Sequence, residues 1–202
     1  MRLLIASRNR DKIAEIKEIL AVLDLDIISA SDFPDLPEVI EDQDTIRGNA
    51  IKKAQETALF AGCYTLADDT GLFVESLQGK PGVYAARYAG ENCTYRDNRL
   101  KMLQELENIE DRKAEFRTCA VLVDDKGNLL FTAEGVVTGE ITYVEKGENG
   151  FGYDSIFFCT EANKTFAELD GEEKHRISHR GRALRKILPF LEKLIDRRSD
   201  NG

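Results

Sequence analysis

The chain opens on an unbroken apolar run, Leu3-Leu4-Ile5-Ala6, and after a short polar break Ile13, Ile16, Leu20 and Leu23 recur at helical spacing. A short run that is apolar on both sides reads as a buried strand, and a striped segment after it reads as an amphipathic helix. A buried strand feeding a helix opens an α/β pattern. The alternation continues along the chain. Asp26–Ser29 and Tyr64–Ala67 read as strands, and Leu72–Glu75 continues extended beyond Asp68-Asp69-Thr70-Gly71. Thr45–Ala61 reads as a helix with Ile46, Ala50, Ala54 and Ala58 forming a narrow small-residue stripe. A further helix is expected over Tyr95–Leu106. Phe116–Val123 and Leu129–Thr138, joined by Asp124-Asp125-Lys126-Gly127-Asn128, form a hairpin pattern. Ile156–Phe158 follows a glycine-rich loop, and Arg182–Ile195 carries the last apolar helical stripe. The expected class is α/β with a mixed sheet, and residues 197–202 read as a polar tail.

Composition narrows the function. With 202 residues, 42% of them hydrophobic, the chain suits one large domain or two intimate lobes. No apolar run reaches the ~20 residues that span a bilayer, and the N-terminal run is too short for a signal peptide. These features predict a cytoplasmic protein with no membrane partner. The formal net charge of −9 argues against a nucleic acid polymer as partner, because phosphate neutralisation dominates that affinity. It leaves room for one small polyanion met by a few cations. Cys63, Cys93, Cys119 and Cys159 are widely spaced and form no C-x-x-C pair, so they read as reduced thiols.

Five segments carry chemistry. Ser7-Arg8-Asn9-Arg10-Asp11-Lys12 joins strand to helix, where free N–H groups and the helix dipole attract phosphate and Lys12 adds a cation. Asp68-Asp69, with an acid such as Glu41, Glu38, Asp42 or Asp44, offers the oxygen ligands that magnesium prefers. Lys52-Lys53 places one lysine nearer the sheet. Gly150-Phe151-Gly152-Tyr153-Asp154 presents a ring between two glycines, which suits stacking on a nucleobase. Lys174 with Ser178-His179-Arg180 gathers donors, which match a 6-keto purine better than adenine. Each segment also has a plain structural reading: a capped helix, a solvated acidic turn, surface lysines, a core phenylalanine. His175 reads as a surface histidine.

The order of these segments, together with Asn49–Ala54 and Pro81–Gly90, resembles the inosine/xanthosine triphosphate pyrophosphatase family from Leu4 to about Leu191. The resemblance implies a magnesium-dependent enzyme that hydrolyses deaminated purine triphosphates (ITP, dITP, XTP) to monophosphate and pyrophosphate. It implies an elongated mixed sheet flanked by helices in two lobes with a central cleft, over residues 1–196, and a homodimer. Ser7, Asn9, Lys12 and Lys53 then cradle the triphosphate. Glu41, Asp69 and Asp68 form the magnesium site, Asp69 activates water, and Thr70 touches substrate. Phe151, Gly152, Tyr153 and Asp154 hold the base, and Lys174, His179 and Arg180 read its 6-keto edge. Departures from the family pattern include Gly48 where a glutamate commonly stands and Ala85 in place of a serine.

Overall fold

The computed structural model describes residues 1–199. In chain order it contains β1 (Arg2–Ile5), α1 (Arg10–Leu20), β2 (Asp26–Ser29), α2 (Ile46–Ala61), β3 (Tyr64–Val74), β4 (Pro81–Gly82), α3 (Tyr95–Glu105), β5 (Lys113–Val123), β6 (Leu129–Ile141), β7 (Phe157–Cys159), β8 (Lys164–Thr165), α4 (Gly171–Ile177) and α5 (His179–Ser199). The fold is mixed α/β, as the alternation predicts. It divides into two compact units. The first comprises Met1–Asp69, Thr118–Gly135 and the chain from Arg180; the second comprises Thr70–Arg117 and Val136–His179.

In the first unit the strand order is β2-β1-β3-β5-β6. β1 runs parallel to both neighbours, with Leu4 opposite Ile28 on one side and Thr65 on the other. Strand alternation sorts the side chains onto two faces. Leu3, Ile5, Leu66, Ala120 and Leu122 pack with Ile16 and Leu20 of α1 and Leu184, Ile187 and Leu191 of α5. Ala6, Ala67, Cys119, Val121 and Val123 pack with Ala50, Ala54 and Ala58 of α2. The alanine stripe therefore does what its spacing implies and lets α2 lie close to the sheet. Thr45 caps the start of α2 by accepting from the Gly48 N–H, and Gly62 closes its end at φ 62°, a left-handed conformation that glycine adopts without penalty.

In the second unit the order is β4-β3-β5-β6-β7-β8, with antiparallel pairing of β3 with β4, β6 with β7 and β7 with β8. Its core gathers Leu72, Val74, Met102, Leu106, Phe116, Phe157 and Phe166. The sequence pattern placed a break at Asp68–Gly71, but β3 runs unbroken to Val74, because Leu72 pairs with Gly82 beyond it. α5 begins at His179 and continues through Ser199, so part of the expected tail is helical, while residues 200–202 lie outside the described residues. α4 has no counterpart in the sequence reading. Its marker was a capping box, in which the Asp170 side chain takes the Glu173 N–H and the Glu173 side chain takes the Asp170 N–H.

Arg112, almost fully buried, holds the second unit together through carbonyls rather than carboxylates. Its Nε donates to Ile141 O at 2.6 Å, Nη1 to Leu106 O at 2.6 Å and Nη2 to Thr142 O at 2.8 Å, with the guanidinium over the Tyr143 ring. Only a planar fork reaches these directions together. Arg112→Met should destabilise the protein by about 2–5 kcal/mol, because it orphans several buried acceptors. Arg112→Lys should recover only a minority of that loss. Urea unfolding measures both, and a change within ~0.5 kcal/mol, as at an ordinary surface site, would refute the role.

Candidate active site

The first unit builds an ionic cluster around the middle of β3. Successive strand residues point to opposite faces, so Asp68 turns to the face bearing α1 and α5 and Asp69 to the face bearing α2. Asp68 Oδ2 accepts from Arg180 Nε at 3.1 Å and lies 3.7 Å from Lys12 Nζ. Arg180 is itself paired with Glu15 through Nη1. Asp69 Oδ2 accepts from Asn49 Nδ2 at 3.2 Å, and Asn49 Oδ1 accepts the Gln43 N–H at 2.9 Å, which fixes the amide. Lys53 Nζ contacts Glu41 at 2.5 Å, whereas Lys52 turns outward to Asp42. The structure thus decides which of the two lysines faces inward.

These surroundings drive the adjacent aspartates in opposite directions. Burial works against the charge on Asp68, but Lys12, Arg180 and Lys53 outweigh it and hold the carboxyl well below its usual value. Burial raises Asp69, and the like charge of Glu41 adds to that, so Lys12 and Lys53 do not bring it back. Burial would lower Lys53, yet Glu41, Asp68 and Asp69 raise it, so it stays protonated. Asp68 is a fixed anion tied to a guanidinium, and Asp69 is the carboxylate with proton affinity to spare.

The three acids expected to form a metal site do not gather into one. Among the described residues no group of three or more His, Cys, Asp or Glu side chains could hold a metal ion. Asp68 departs because strand alternation hands it to Arg180. Glu41 and Asp69 remain, and their mutual repulsion is the condition a divalent cation relieves. Two carboxylates are also what magnesium takes before filling its shell with water and phosphate oxygens.

At the start of α1 the expected phosphate cradle is a capped helix. Asn9 Oδ1 accepts from the N–H groups of Asp11 and Lys12, at 3.0 and 3.2 Å, and Ser7 Oγ accepts the Asn9 N–H at 3.1 Å. A bound phosphate would take over these N–H groups from Asn9.

The second unit holds the base-directed residues. Thr70 lies partly buried in β3. Gly150 and Gly152 have φ of 71° and 62°, which bends the chain so that the Phe151 N–H reaches Asp154 Oδ2 at 2.8 Å. Lys174 Nζ donates to the same oxygen at 2.6 Å and lies 4.8 Å from the Phe151 ring centroid. Tyr153 differs from expectation: it is buried in the core, and its hydroxyl donates to Ala85 O at 2.8 Å. That bond goes to a backbone carbonyl, so the missing serine hydroxyl at position 85 costs it nothing. His179 is buried, stacked on Phe116 at 4.5 Å and 17°. Arg180, expected beside it at the 6-keto edge, belongs instead to the Asp68 cluster. His175 is half-buried in α4 rather than on the surface. Glu15 and Asn49 carry no local sequence signal for these roles, since their partners lie 165 and 20 residues away.

Comparison with known proteins decides the family. The Ham1 family model matches residues 3–190. The chain belongs to the Ham1 family. It is 48% identical over 192 residues to the dITP/XTP pyrophosphatase of Geobacter sulfurreducens, covering 94% of this chain and 96% of that protein. It is 44% identical over 196 residues to the dITP/XTP pyrophosphatase of Desulforamulus reducens, covering 96% and 97%. Among solved structures, the HAM1 protein of Coxiella burnetii matches with TM-score 0.86 at 38% identity, covering 96% of this chain and 99% of that one. The Ham1 protein of Staphylococcus aureus matches at 0.84 and 39%, with the same coverage.

The opposed aspartates predict opposite stability effects. A depressed carboxyl contributes stability that is present above its unfolded value and lost as pH falls through the folded one. Asp68→Asn should therefore destabilise by about 3–5 kcal/mol at pH 7, as breaking a buried pair does. A raised carboxyl contributes only below its unfolded value, and that contribution is lost as pH rises through the folded one. Asp69→Asn should therefore raise the melting temperature at pH 7, by a margin that shrinks on acidification. Melting curves across pH check both, and equal destabilisation by the two would contradict the assignment.

Proposed function

We propose that this Ham1-family chain is a dITP/XTP pyrophosphatase, an enzyme that hydrolyses deaminated purine nucleoside triphosphates to the monophosphate and pyrophosphate. The observation that carries the reading is the split between Asp68, tied to Arg180, and Asp69, which turns to the α2 face and accepts from Asn49, on the helix whose Lys53 pairs with Glu41. That combination provides a base for water next to cations for phosphate. The names borne by relatives at 44–48% identity over nearly the full chain support the same reaction and substrate class.

Lys12 and Lys53 neutralise phosphate oxygens, and the first-turn N–H groups of α1 accept a phosphate in place of Asn9, with Ser7 holding the turn. Asp69, oriented by Asn49, takes the proton of the attacking water. Glu41 and Asp69 would hold Mg²⁺, which would supply charge neutralisation for the triphosphate. Lys53 must leave Glu41 for this, and the triphosphate gives it a new partner. Phe151 stacks on the base, worth ~1–3 kcal/mol, and the buried donors Lys174 and His179 favour a keto acceptor over an amino group. Thr70 follows Asp69 directly and contacts the substrate. A cytoplasmic homodimer completes the proposal. No described helix is long and apolar enough to cross a membrane.

Pyrophosphate release from ITP, XTP, dITP, ATP, GTP and dTTP, with and without Mg²⁺, tests the function. Fast release from the first three, slow release from the rest and loss with chelator are expected. Equal release from all six would remove the base selection, and tight ITP binding without release would leave only a binding protein. Asp69→Asn should lower kcat by about 10²–10⁴-fold, the range of a general base, with ITP affinity largely kept.

A further inference from the structure

The loop that carries Phe151 is held from a side that no sequence motif marks. Two glycines at positive φ give the Gly150–Asp154 segment little conformational preference of its own, so its shape depends on what grips it. Asp154 and Lys174 grip it at Phe151. The other grip comes from α3. Arg99 Nη1 donates to Gly152 O at 3.0 Å while its Nε donates to Glu145 Oε2 at 2.9 Å. Glu145 Oε2 also accepts from Ser155 Oγ at 2.8 Å, just past the loop. The guanidinium is thus clamped by a carboxylate that is itself held, and its rigid fork aims one N–H at the Gly152 carbonyl. One helical turn before Arg99 on the same face stands Tyr95, whose ring lies 5.8 Å from that of Phe151, tilted by 38°. α3 therefore touches the loop at two consecutive residues, on the ring and on the peptide after it.

We propose that Arg99, oriented by Glu145, is a positioning residue for base recognition: it fixes the Gly152 carbonyl and thereby the plane in which the Phe151 ring meets a purine. This rests on the reading of Phe151 as the base platform. Placement matters here because a shift of about 1 Å in a positioning group can cost on the order of 10²-fold. Arg99 and Glu145 are not in the core, with side chains 18% and 38% exposed, so removing either opens no large cavity.

Calorimetry with two probes separates the base from the phosphates: IMP, which carries the base, and pyrophosphate, which does not. Wild type, Arg99→Met, Arg99→Lys and Glu145→Gln are compared. Arg99→Met should weaken IMP binding about tenfold, equal to ~1.4 kcal/mol, and leave pyrophosphate binding within about twofold. Glu145→Gln should lose less in the same direction, and Arg99→Lys should regain part of the loss. Unchanged IMP affinity in both Arg99→Met and Glu145→Gln would overturn the inference, as would an equal loss for both probes. Wild type that binds pyrophosphate but not IMP would instead overturn the base platform itself, and the inference with it.

Discussion

Everything at the ionic centre follows from the two-residue period of a β-strand. Asp68 and Asp69 are neighbours in sequence and share one strand, so they face opposite sides of it and meet different helices. The side facing α5 supplies a guanidinium, and the side facing α2 supplies an amide. Had both carboxylates shared a face, their repulsion would have forced one proton between them or driven the strand apart. Separation lets Asp68 stay an anion balanced by Arg180 and leaves Asp69 on the α2 face for chemistry.

The consequence is a division of labour between charge storage and chemistry. Arg180 is spent on Asp68 and Glu15, which makes the cluster stable without making it reactive. Lys12 and Lys53 are paired at longer reach or with a more exposed acid, so they can change partners when phosphate arrives. Asn49 carries no charge; its amide orients Asp69, while burial and Glu41 are what keep the carboxyl raised. In the second unit the same economy applies to Asp154, which gathers Lys174 and the Phe151 N–H and so shapes a loop that its glycines leave undetermined.

How much of this was legible in the sequence depends on how local each signal was. Leu3–Ala6, the stripe of α1 and the alanine stripe of α2 were readable because periodicity reports burial directly. The acidic pair is readable as chemistry, but the turn-like run Asp68-Asp69-Thr70-Gly71 reads as a strand end, whereas the pair lies mid-strand. That error hid the opposite facing of Asp68 and Asp69. His179-Arg180 read as one donor set because they adjoin, yet successive residues at a helix start diverge by about 100°, and the two side chains serve different clusters. Tyr153 enters the base loop only through the family resemblance, whereas its burial belongs to a core that gathers distant residues such as Leu72 and Met102. Glu15 and Arg99 carry no local signature. Their meaning lies in partners far along the chain, which a single sequence does not expose.

The central claim, that neighbouring aspartates are driven apart in proton affinity, is open to direct measurement in the metal-free protein. Carboxyl ¹³C NMR, with Asp68→Asn and Asp69→Asn used for assignment, follows each group from neutral pH into acid. The account predicts that Asp69 titrates above the ordinary aspartate value of about 3.9, while Asp68 stays ionised to the lowest pH at which the protein remains folded. Titration of both near the ordinary value, or Asp68 above Asp69, would contradict it.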